Sequence, residues 1–446
     1  MSTSVFPGPP DPNGDEIVAA IGNPKQSRRS TRTKRSETVV EPKIPLHYDP
    51  LEYAPRPLSQ EERDAWKGWC EIESDPAFFN VMLRDFGISG IKVHEIFSLD
   101  EEMVAFLPKP IYGLVFLYQF QDDDLGNQEP TSPDNIWFAN QTITNACGTI
   151  ALLNIILNIP KINLGETLQC FKDFTQSMSP PLRGYTVGNH DFLRKIHNSF
   201  ARRMDTLSAD LSMSNSANAR TSQPSKVSDE EDQAGYHYIA FVPILGSVWK
   251  LNGLERQPTN LGTFEGDWME IVRPSIQEQM QQYEGEQIQF NLLSLCRSPL
   301  EALPQELAEN VRTLQAIETR LKQIAPEWEQ FIDNNEESGT ILYGCDANFQ
   351  ISEDLLDAAR PSPQVTSQFL ASPGDAESLL ALRQEVIFAQ SELKAAFLDE
   401  AMALQQDSQR AASRRHDYTP MIHIWLRMLA EKGVLETLAT RADCRS

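Results

Sequence analysis

A cysteine at the start of an apolar helical run carries the clearest chemical signal in this chain. Polar, turn-forming residues precede Cys147, and Gly148 and an apolar run through Leu157 follow it. A helix N-terminus carries partial positive charge and backbone N–H groups without helical partners, so it favours a thiolate over a thiol. Gly148 leaves room for a substrate backbone, and Gln141 could donate an N–H to a developing oxyanion beside the Cys147 N–H. The alternative is a packing residue, since free cysteines are often buried.

A predicted β-hairpin places an imidazole beside a side-chain amide. Two apolar, β-rich runs flank a turn at residues 245–246. A symmetric turn there makes Ile239 face Asn252, and His237 then lies diagonal to Asn252 on the same face of the ladder. Such diagonal neighbours are roughly 7–8 Å apart at the backbone, within reach of side chains. Cys147, His237 and Asn252 are therefore a candidate nucleophile, base and orienting residue, although His237 alone could be a core histidine.

With these residues in place, the chain resembles the ubiquitin C-terminal hydrolases of the UCH type, peptidase family C12. The matching segments are Gln141, residues 145–149, His237 and residues 251–254 at the candidate site, and residues 69–76, 87–91, 95–100, 164–168, 197–202 and 290–293 outside it. The resemblance covers roughly residues 65–296. A further match from His416 to Leu438 is similar to the long subfamily, which has a C-terminal helical extension that docks on the proteasome or on chromatin complexes.

The resemblance implies both a fold and an activity. The implied fold is α/β and papain-like, with an antiparallel central sheet flanked by helices and a coiled-coil-like helical extension at the C-terminus. The implied activity is that of a thiol-dependent deubiquitinase, which hydrolyses the bond after the C-terminal glycine of ubiquitin. In this role Cys147 is the nucleophile, His237 the base and Asn252 the orienting residue, and Gln141 is an oxyanion donor. Residues 204–235 resemble the crossover loop that gates the active site in this family.

One residue departs from the family pattern, which normally has Asp at the position of Asn252. A carboxylate both orients the imidazole and stabilises its positive form, whereas an amide oxygen only accepts the ring N–H. In a serine protease this exchange costs about 10⁴-fold in turnover, but papain-like thiol enzymes use Asn in this role. A Cys–His pair that already exists as thiolate and imidazolium depends less on a third charge. We therefore expect an active enzyme. The alternatives are a weak or inactive ubiquitin-binding adaptor of a proteasome or chromatin complex and, more remotely, a redox-sensing cysteine protein.

Changes in composition and periodicity divide the chain into four regions. These are a Pro-rich arm at 1–59 with a basic cluster at 25–35, a catalytic domain at 60–296, a helix and linker at 297–374, and a helical partner-docking region at 375–446. The catalytic domain contains predicted strands at 113–120, 237–244 and 286–295.

Two apolar periodicities follow the catalytic domain. Apolar residues recur at helical spacing from Leu307 to Ile324 and from Leu379 to Ala396. They predict two helices that pair as an antiparallel coiled coil or, alternatively, pack separately on the catalytic domain. The wide apolar face around Trp425 near the C-terminus indicates docking of a partner, with folding back onto the catalytic domain as the alternative.

Charge and cysteine content limit the partners and the compartment. The 446-residue chain has 63 acidic and 39 basic residues and a net charge of -24, which disfavours nucleic acid except at the basic cluster 25–35 and suits the basic tail of ubiquitin. Its 6 scattered cysteines include no CxxC pair, so we expect free thiols, a reducing compartment and neither metal nor cofactor. With no apolar run of about 18 residues and no secretory signal, we expect no membrane contact and a cytoplasmic and nuclear protein.

Overall fold

The structure is a computed structural model that describes part of the chain. The described residues are 56–119, 133–221, 235–282, 290–331, 341–363, 365–367 and 375–435. The basic cluster 25–35, residues 222–234 of the predicted crossover loop and the end of the chain from residue 436 lie outside these ranges.

Six strands form one sheet in which every neighbouring pair is antiparallel. They are β1 (Ile91–Glu95), β2 (Ile111–Gln119), β3 (Tyr236–Ile244), β4 (Ser247–Leu251), β5 (Thr259–Thr263) and β6 (Asn291–Arg297). Their order across the sheet is β1-β6-β2-β3-β4-β5. The predicted antiparallel central sheet is thereby confirmed, and the two edge strands β1 and β5 are additions to the predicted set.

The described residues also form helices, numbered here in chain order. They are α1 (Gln60–Ala65), α2 (Pro76–Asp85), α3 (Glu101–Ala105), α4 (Cys147–Ile156), α5 (Gly165–Thr175), α6 (Pro180–Asn189), α7 (Asp191–His197), α8 (Arg203–Thr221), α9 (Met269–Gln282), α10 (Pro299–Ile324), α11 (Glu353–Ala358), α12 (Ala376–Arg415) and α13 (Thr419–Glu431), with short 3₁₀ helices at Asn198–Phe200 and Trp328–Phe331. Within the described ranges, no helix combines the length and the apolar character needed to cross a membrane.

Helices cover both faces of the sheet because the central strands are apolar on both sides. Every residue of α4 after Cys147 is buried, and this helix packs against β2 and β3. On the other face, α9 contributes Met269, Val272 and Ile276 to a core shared with alternate residues of β2 and β3. Burial of about 25 cal/mol per Å² of apolar surface makes these two cores the main stabilising feature of the sheet. The arrangement confirms the predicted α/β class, in which helices flank the sheet.

The first half of the predicted crossover loop at 204–235 is helical rather than irregular. Helix α8 runs to Thr221, and the buried positions among residues 203–213, whose burial the structure describes, are Arg203, Thr206 and Ala209. These residues are spaced by three but are polar or small, so the sequence shows no apolar period there. Hydrogen bonds replace apolar burial on this face: the Arg203 guanidinium donates to the main-chain carbonyl of Pro57 and pairs with Glu62 at 2.6 Å.

Helices α10 and α12 pack as the predicted antiparallel pair. Leu303 to Val311 of α10 lie in one cluster with Phe397 of α12, and Leu314 to Leu321 lie in a second cluster with Leu379 and Val386. The prediction is wrong in one detail, since Ala396 is exposed and its neighbour Phe397 is buried instead.

Helix α12 is much longer than the apolar pattern predicts. It has 40 residues, which is about 60 Å at 1.5 Å per residue. Its C-terminal part packs against α2 of the predicted catalytic domain. There Asn80 Nδ2 donates to Asp407 Oδ2 at 2.8 Å, and the Arg414 guanidinium pairs with Asp205 at 3.0 Å. Polar contacts hold this part of the helix, so apolar periodicity alone could not predict its length.

Candidate active site

Cys147 stands at the first position of the buried helix α4. The preceding turn is held by Asn145, which adopts a left-handed φ of 63° and whose Nδ2 donates to the Trp69 carbonyl at 3.1 Å. Asn is one of the few residue types that adopt this conformation readily. The turn brings the thiol to the helix N-terminus, where the helix dipole and the first backbone N–H groups are directed at it.

The surroundings of Cys147 nevertheless favour the thiol over the thiolate. Burial raises its pKa, and backbone hydrogen bonds from Tyr238, Gly148 and Cys147 itself lower the pKa without reversing that effect. Desolvation therefore opposes the thiolate that the helix N-terminus favours. The bond to Tyr238 also shows that the sulfur lies against the main chain of β3, one residue after His237.

The predicted hairpin is confirmed, and it joins His237 to Asn252. Leu245 and Gly246 both have positive φ, 49° and 79°, as a type I′ turn requires. The ladder pairs Ala240 with Leu251, so its register continues to the opposed positions 239 and 252. His237 Nε2 lies 2.8 Å from Asn252 Oδ1, and both side chains are buried.

The hydrogen bonds of Asn252 determine which way its amide faces. The Leu254 backbone N–H donates to Oδ1 at 3.0 Å, and Nδ2 donates to Glu255 Oε1 at 3.3 Å. With Oδ1 turned toward the ring, His237 must donate from Nε2. The neutral imidazole then carries its lone pair on Nδ1, the nitrogen that can take a proton.

His237 is neutral at physiological pH. Burial lowers its pKa to about 4, and the hydrogen bond to Asn252 only partly offsets this. The lowered pKa of the ring and the raised pKa of the thiol both favour a thiol and a neutral imidazole over the thiolate–imidazolium pair. This is the protonation state that a general base needs before the nucleophile attacks.

Gln141 lies beside the loop that follows Asn252. Its backbone N–H donates to the Gly253 carbonyl at 2.8 Å, and its side-chain Nε2 donates to the Ile143 carbonyl at 3.1 Å. A Cβ added to Gly253 would come within 3.1 Å of the Gln141 nitrogen, which is a tight contact, so the two segments pass close to each other at this glycine. Because an amide NH₂ has two hydrogens, the second N–H of Gln141 can still serve an oxyanion.

Gly148 faces the protein core rather than a path for the substrate. A Cβ built on it would meet the rings of Tyr238 at 3.6 Å and Phe79 at 3.7 Å, both ordinary contacts with buried side chains. The expectation that Gly148 opens space for a substrate backbone is therefore wrong, and an alanine there would fit.

A buried ion pair behind Asn252 was not predicted from the sequence. Lys250 Nζ lies 2.7 Å from Glu255 Oε1, and Thr259 Oγ1 donates to Oε2 at 2.9 Å. The available signal was a lysine inside the apolar strand Ser247–Leu251 followed five residues later by a glutamate. Among the residues that the structure describes, no group of three or more His, Cys, Asp and Glu could hold a metal ion.

Comparison with known proteins relates this chain to one enzyme family. The model of "Ubiquitin carboxyl-terminal hydrolase, family 1" matches residues 69–281. Ubiquitin carboxyl-terminal hydrolase ubh-4 of Caenorhabditis elegans is 36% identical over 247 residues, which are 54% of this chain and 71% of that protein. Isozyme L5 of Dictyostelium discoideum is 29% identical over 377 residues, or 84% of this chain and 95% of that one. The crystal structure of the Trichinella spiralis UCH37 catalytic domain with ubiquitin vinyl methyl ester has a TM-score of 0.42 and 32% identity, and covers 52% of this chain and 96% of that one.

Proposed function

Because the chain belongs to the ubiquitin carboxyl-terminal hydrolases of family 1, we propose that Cys147, His237, Asn252 and Gln141 are the residues with which this cysteine deubiquitinase cleaves after the C-terminal glycine of ubiquitin. The observation that carries the proposal is the 2.8 Å contact between His237 Nε2 and Asn252 Oδ1. This contact supports a neutral ring that carries its proton on Nε2 and leaves Nδ1 to act as the base, within a chain segment that matches the family model.

In the first step, the Cys147 sulfur attacks the carbonyl carbon of the ubiquitin C-terminal glycine. The thiol proton passes to His237 Nδ1, so the imidazole becomes positively charged as the carbonyl oxygen becomes negative. The Cys147 backbone N–H and a Gln141 Nε2–H donate to that oxygen. An amide at Asn252 supports the charged ring through its oxygen dipole but adds no negative charge.

In the second step, the tetrahedral intermediate collapses and expels the amine. Nδ1 returns its proton to the departing nitrogen, which leaves ubiquitin bound to Cys147 as a thioester. A water molecule then attacks the thioester while His237 again takes a proton. The bond between the carbonyl carbon and the Cys147 sulfur then breaks, and Nδ1 releases its proton to the sulfur to restore the thiol. Ubiquitin leaves as a carboxylic acid, which loses its proton to the solvent.

The first experiment measures hydrolysis of a fluorogenic C-terminal amide of ubiquitin by the purified full chain. Cys147→Ala should abolish turnover, because the substitution removes the attacking sulfur, and Cys170→Ala, at an exposed cysteine on α5, should behave as the wild type. Turnover that persists in Cys147→Ala would refute the assigned nucleophile. Ubiquitin binding without turnover by the wild-type chain would favour the adaptor alternative.

We further propose that the helical extension after the catalytic domain, residues 297–374 and 375–446, recruits an adaptor of a proteasome or chromatin complex through α13. No residue of α13 is buried, which argues against folding back onto the described catalytic residues. Its exposed side chains include Met421, Ile424, Trp425 and Met428, whose spacing places them on one helical face. Because the proposed partners are proteasome and chromatin complexes, we also propose a cytoplasmic and nuclear location for the enzyme.

Immobilised proteasomes test this docking surface directly. Trp425→Asp should weaken retention of the chain at least about tenfold, since aromatic anchors carry much of the energy of such interfaces. Met402→Asp, at an equally exposed position on α12, is the matched control and should bind as the wild type does. Retention of Trp425→Asp at wild-type strength would contradict the proposal. If the wild-type chain does not bind proteasomes, the chromatin complex is left as the partner.

A further inference from the structure

Glu255 is a buried carboxylate fixed directly behind the orienting residue Asn252. Its side chain is 2% exposed, and it accepts hydrogen bonds from Asn252 Nδ2 at 3.3 Å and from Thr259 Oγ1 at 2.9 Å. Lys250 Nζ, also buried, lies 2.7 Å from the same Oε1 and balances the charge. The main-chain carbonyl of Glu255 accepts from Asn140 Nδ2 at 2.6 Å, so the backbone is held as well. A buried ion pair adds little net stability, because the cost of desolvating both charges offsets their attraction.

An asparagine used as an orienting residue has a weakness that an aspartate lacks. Its amide is nearly symmetric in shape, so a half-turn exchanges oxygen and NH₂ at little steric cost. In the turned form, Nδ2 of Asn252 would face His237 and would require the lone pair on Nε2. The ring proton would then stand on Nδ1, and His237 could not take the thiol proton there. Turnover therefore depends on holding the amide in one of its two orientations.

Glu255, which contacts the Asn252 amide at Nδ2, opposes the turned form of that amide. Turning the amide would place Oδ1 against Glu255 Oε1, so that two acceptors would face each other in a buried place at the present 3.3 Å separation. The cost is greater for an acceptor oxygen that belongs to an ion pair with Lys250 than for a neutral acceptor. The Leu254 N–H favours the same orientation through a neutral hydrogen bond at 3.0 Å.

We propose that Glu255, with Lys250, is a positioning residue that locks the Asn252 amide and thereby selects the Nε2–H tautomer of His237. The inference rests on the function proposed above and deepens it. It also explains why an amide suits this site. An aspartate at position 252 would put a second carboxylate against Glu255, and two buried carboxylates so close cannot both ionise readily.

The fixed orientation of the Asn252 amide that Glu255 imposes, here called the lock, has a spectroscopic test that needs no turnover. The full chain is labelled with ¹⁵N-histidine, and the ring signals of His237 are assigned as those lost in His237→Asn. The wild type should show a protonated Nε2 and an unprotonated Nδ1 at neutral pH, whereas Glu255→Gln should show a mixture of both tautomers. Glu265→Gln, at an exposed position ten residues away, should leave the spectrum unchanged. An Nδ1–H tautomer in the wild type, or an unaltered tautomer in Glu255→Gln, overturns the proposal.

Kinetics supply the second arm through a crossed set of variants. Glu255→Gln should lower kcat about tenfold, the effect of one lost charge-assisted hydrogen bond, with KM nearly unchanged because the buried Glu255 side chain is not on the surface that a protein substrate contacts. Asn252→Asp should lower kcat while Glu255 is present, and adding Glu255→Gln to it should restore kcat. An equal gain from Asn252→Asp in both backgrounds overturns the lock.

Folding and function failures are separable in this design. Glu255→Gln leaves Lys250 buried without its carboxylate, so Lys250→Met/Glu255→Gln is made alongside and should give the same mixture of tautomers and the same loss of kcat. Should the wild type show the Nε2–H tautomer and Glu255→Gln the mixture, but the wild type no turnover, the proposed function fails and the lock stands. Should it show turnover with the same tautomer in every variant, the lock fails and the function stands.

Discussion

Replacing His237 with asparagine should lower kcat/KM for ubiquitin amide hydrolysis by about 10²- to 10⁴-fold at neutral pH, the range typical of a general base. The upper part of that range is expected because burial raises the pKa of the Cys147 thiol. With little thiolate present, the nucleophile depends on a base to remove its proton. His423→Asn, at an exposed histidine on α13, is the matched control and should keep wild-type activity.

The pH dependence of the same variant identifies the role of the lost group. In the wild type, His237 has a pKa of about 4, so the base is already neutral and the rate should change little from about pH 6 to about pH 8. In His237→Asn only the thiolate fraction reacts, and that fraction grows about tenfold per pH unit below the thiol pKa. The deficit should therefore shrink as the pH rises. A deficit that stays constant across this range would contradict the general-base role.

The hairpin that unites His237 and Asn252 could be predicted from the sequence because a two-residue turn fixes the register of both strands. Once residues 245–246 form the turn, every cross-strand pair follows, including the neighbours of Asn252. The helix that begins at Cys147 could also be predicted, since polar residues precede its apolar run. Local rules and short loops therefore sufficed for these elements.

The protonation states and the support of Asn252 could not be predicted in this way. Whether Cys147 is a thiol or a thiolate depends on how far burial outweighs the helix N-terminus, and burial is a property of the whole core. The contact of Glu255 with Asn252 depends on the path of the loop after β4, which carries no periodic pattern. Likewise, α8 and the end of α12 are held by polar contacts, which apolar periodicity cannot detect.

Acidification should destabilise this protein through a second buried histidine, His197. Its side chain is fully buried, with Nε2 at 2.7 Å from the Cys70 carbonyl and Nδ1 at 2.7 Å from the Thr149 hydroxyl. The carbonyl can only accept, so Nε2 carries the proton, and the Thr149 hydroxyl donates to Nδ1. Both nitrogens are satisfied only while the ring is neutral, and burial lowers its pKa to about 4.

The sign of the effect follows from comparing the folded and unfolded chains. Between the ordinary pKa of 6.5 and the folded value of about 4, the unfolded chain binds a proton that the folded chain does not. The free energy of unfolding therefore falls as the pH is lowered through this window, by up to about 3 kcal/mol from His197 at its lower end. His237 shifts in the same direction and adds to the loss.

Urea unfolding at about pH 6 and about pH 5 isolates the contribution of His197. The wild type should lose about 1 kcal/mol more than His197→Asn between these two pH values, because the variant has one fewer proton to bind on unfolding. His423→Asn should retain the wild-type slope, since that histidine is exposed. Equal slopes in the wild type and in His197→Asn would show that His197 does not titrate on unfolding.

Thr149 lies on α4, two residues after Cys147, so protonation of His197 would also disturb the contact between the nucleophile's helix and the segment at Cys70. In the wild type, irreversible loss of activity on acidification should accordingly follow the unfolding curve. In His197→Asn, the loss should begin at a lower pH than in the wild type.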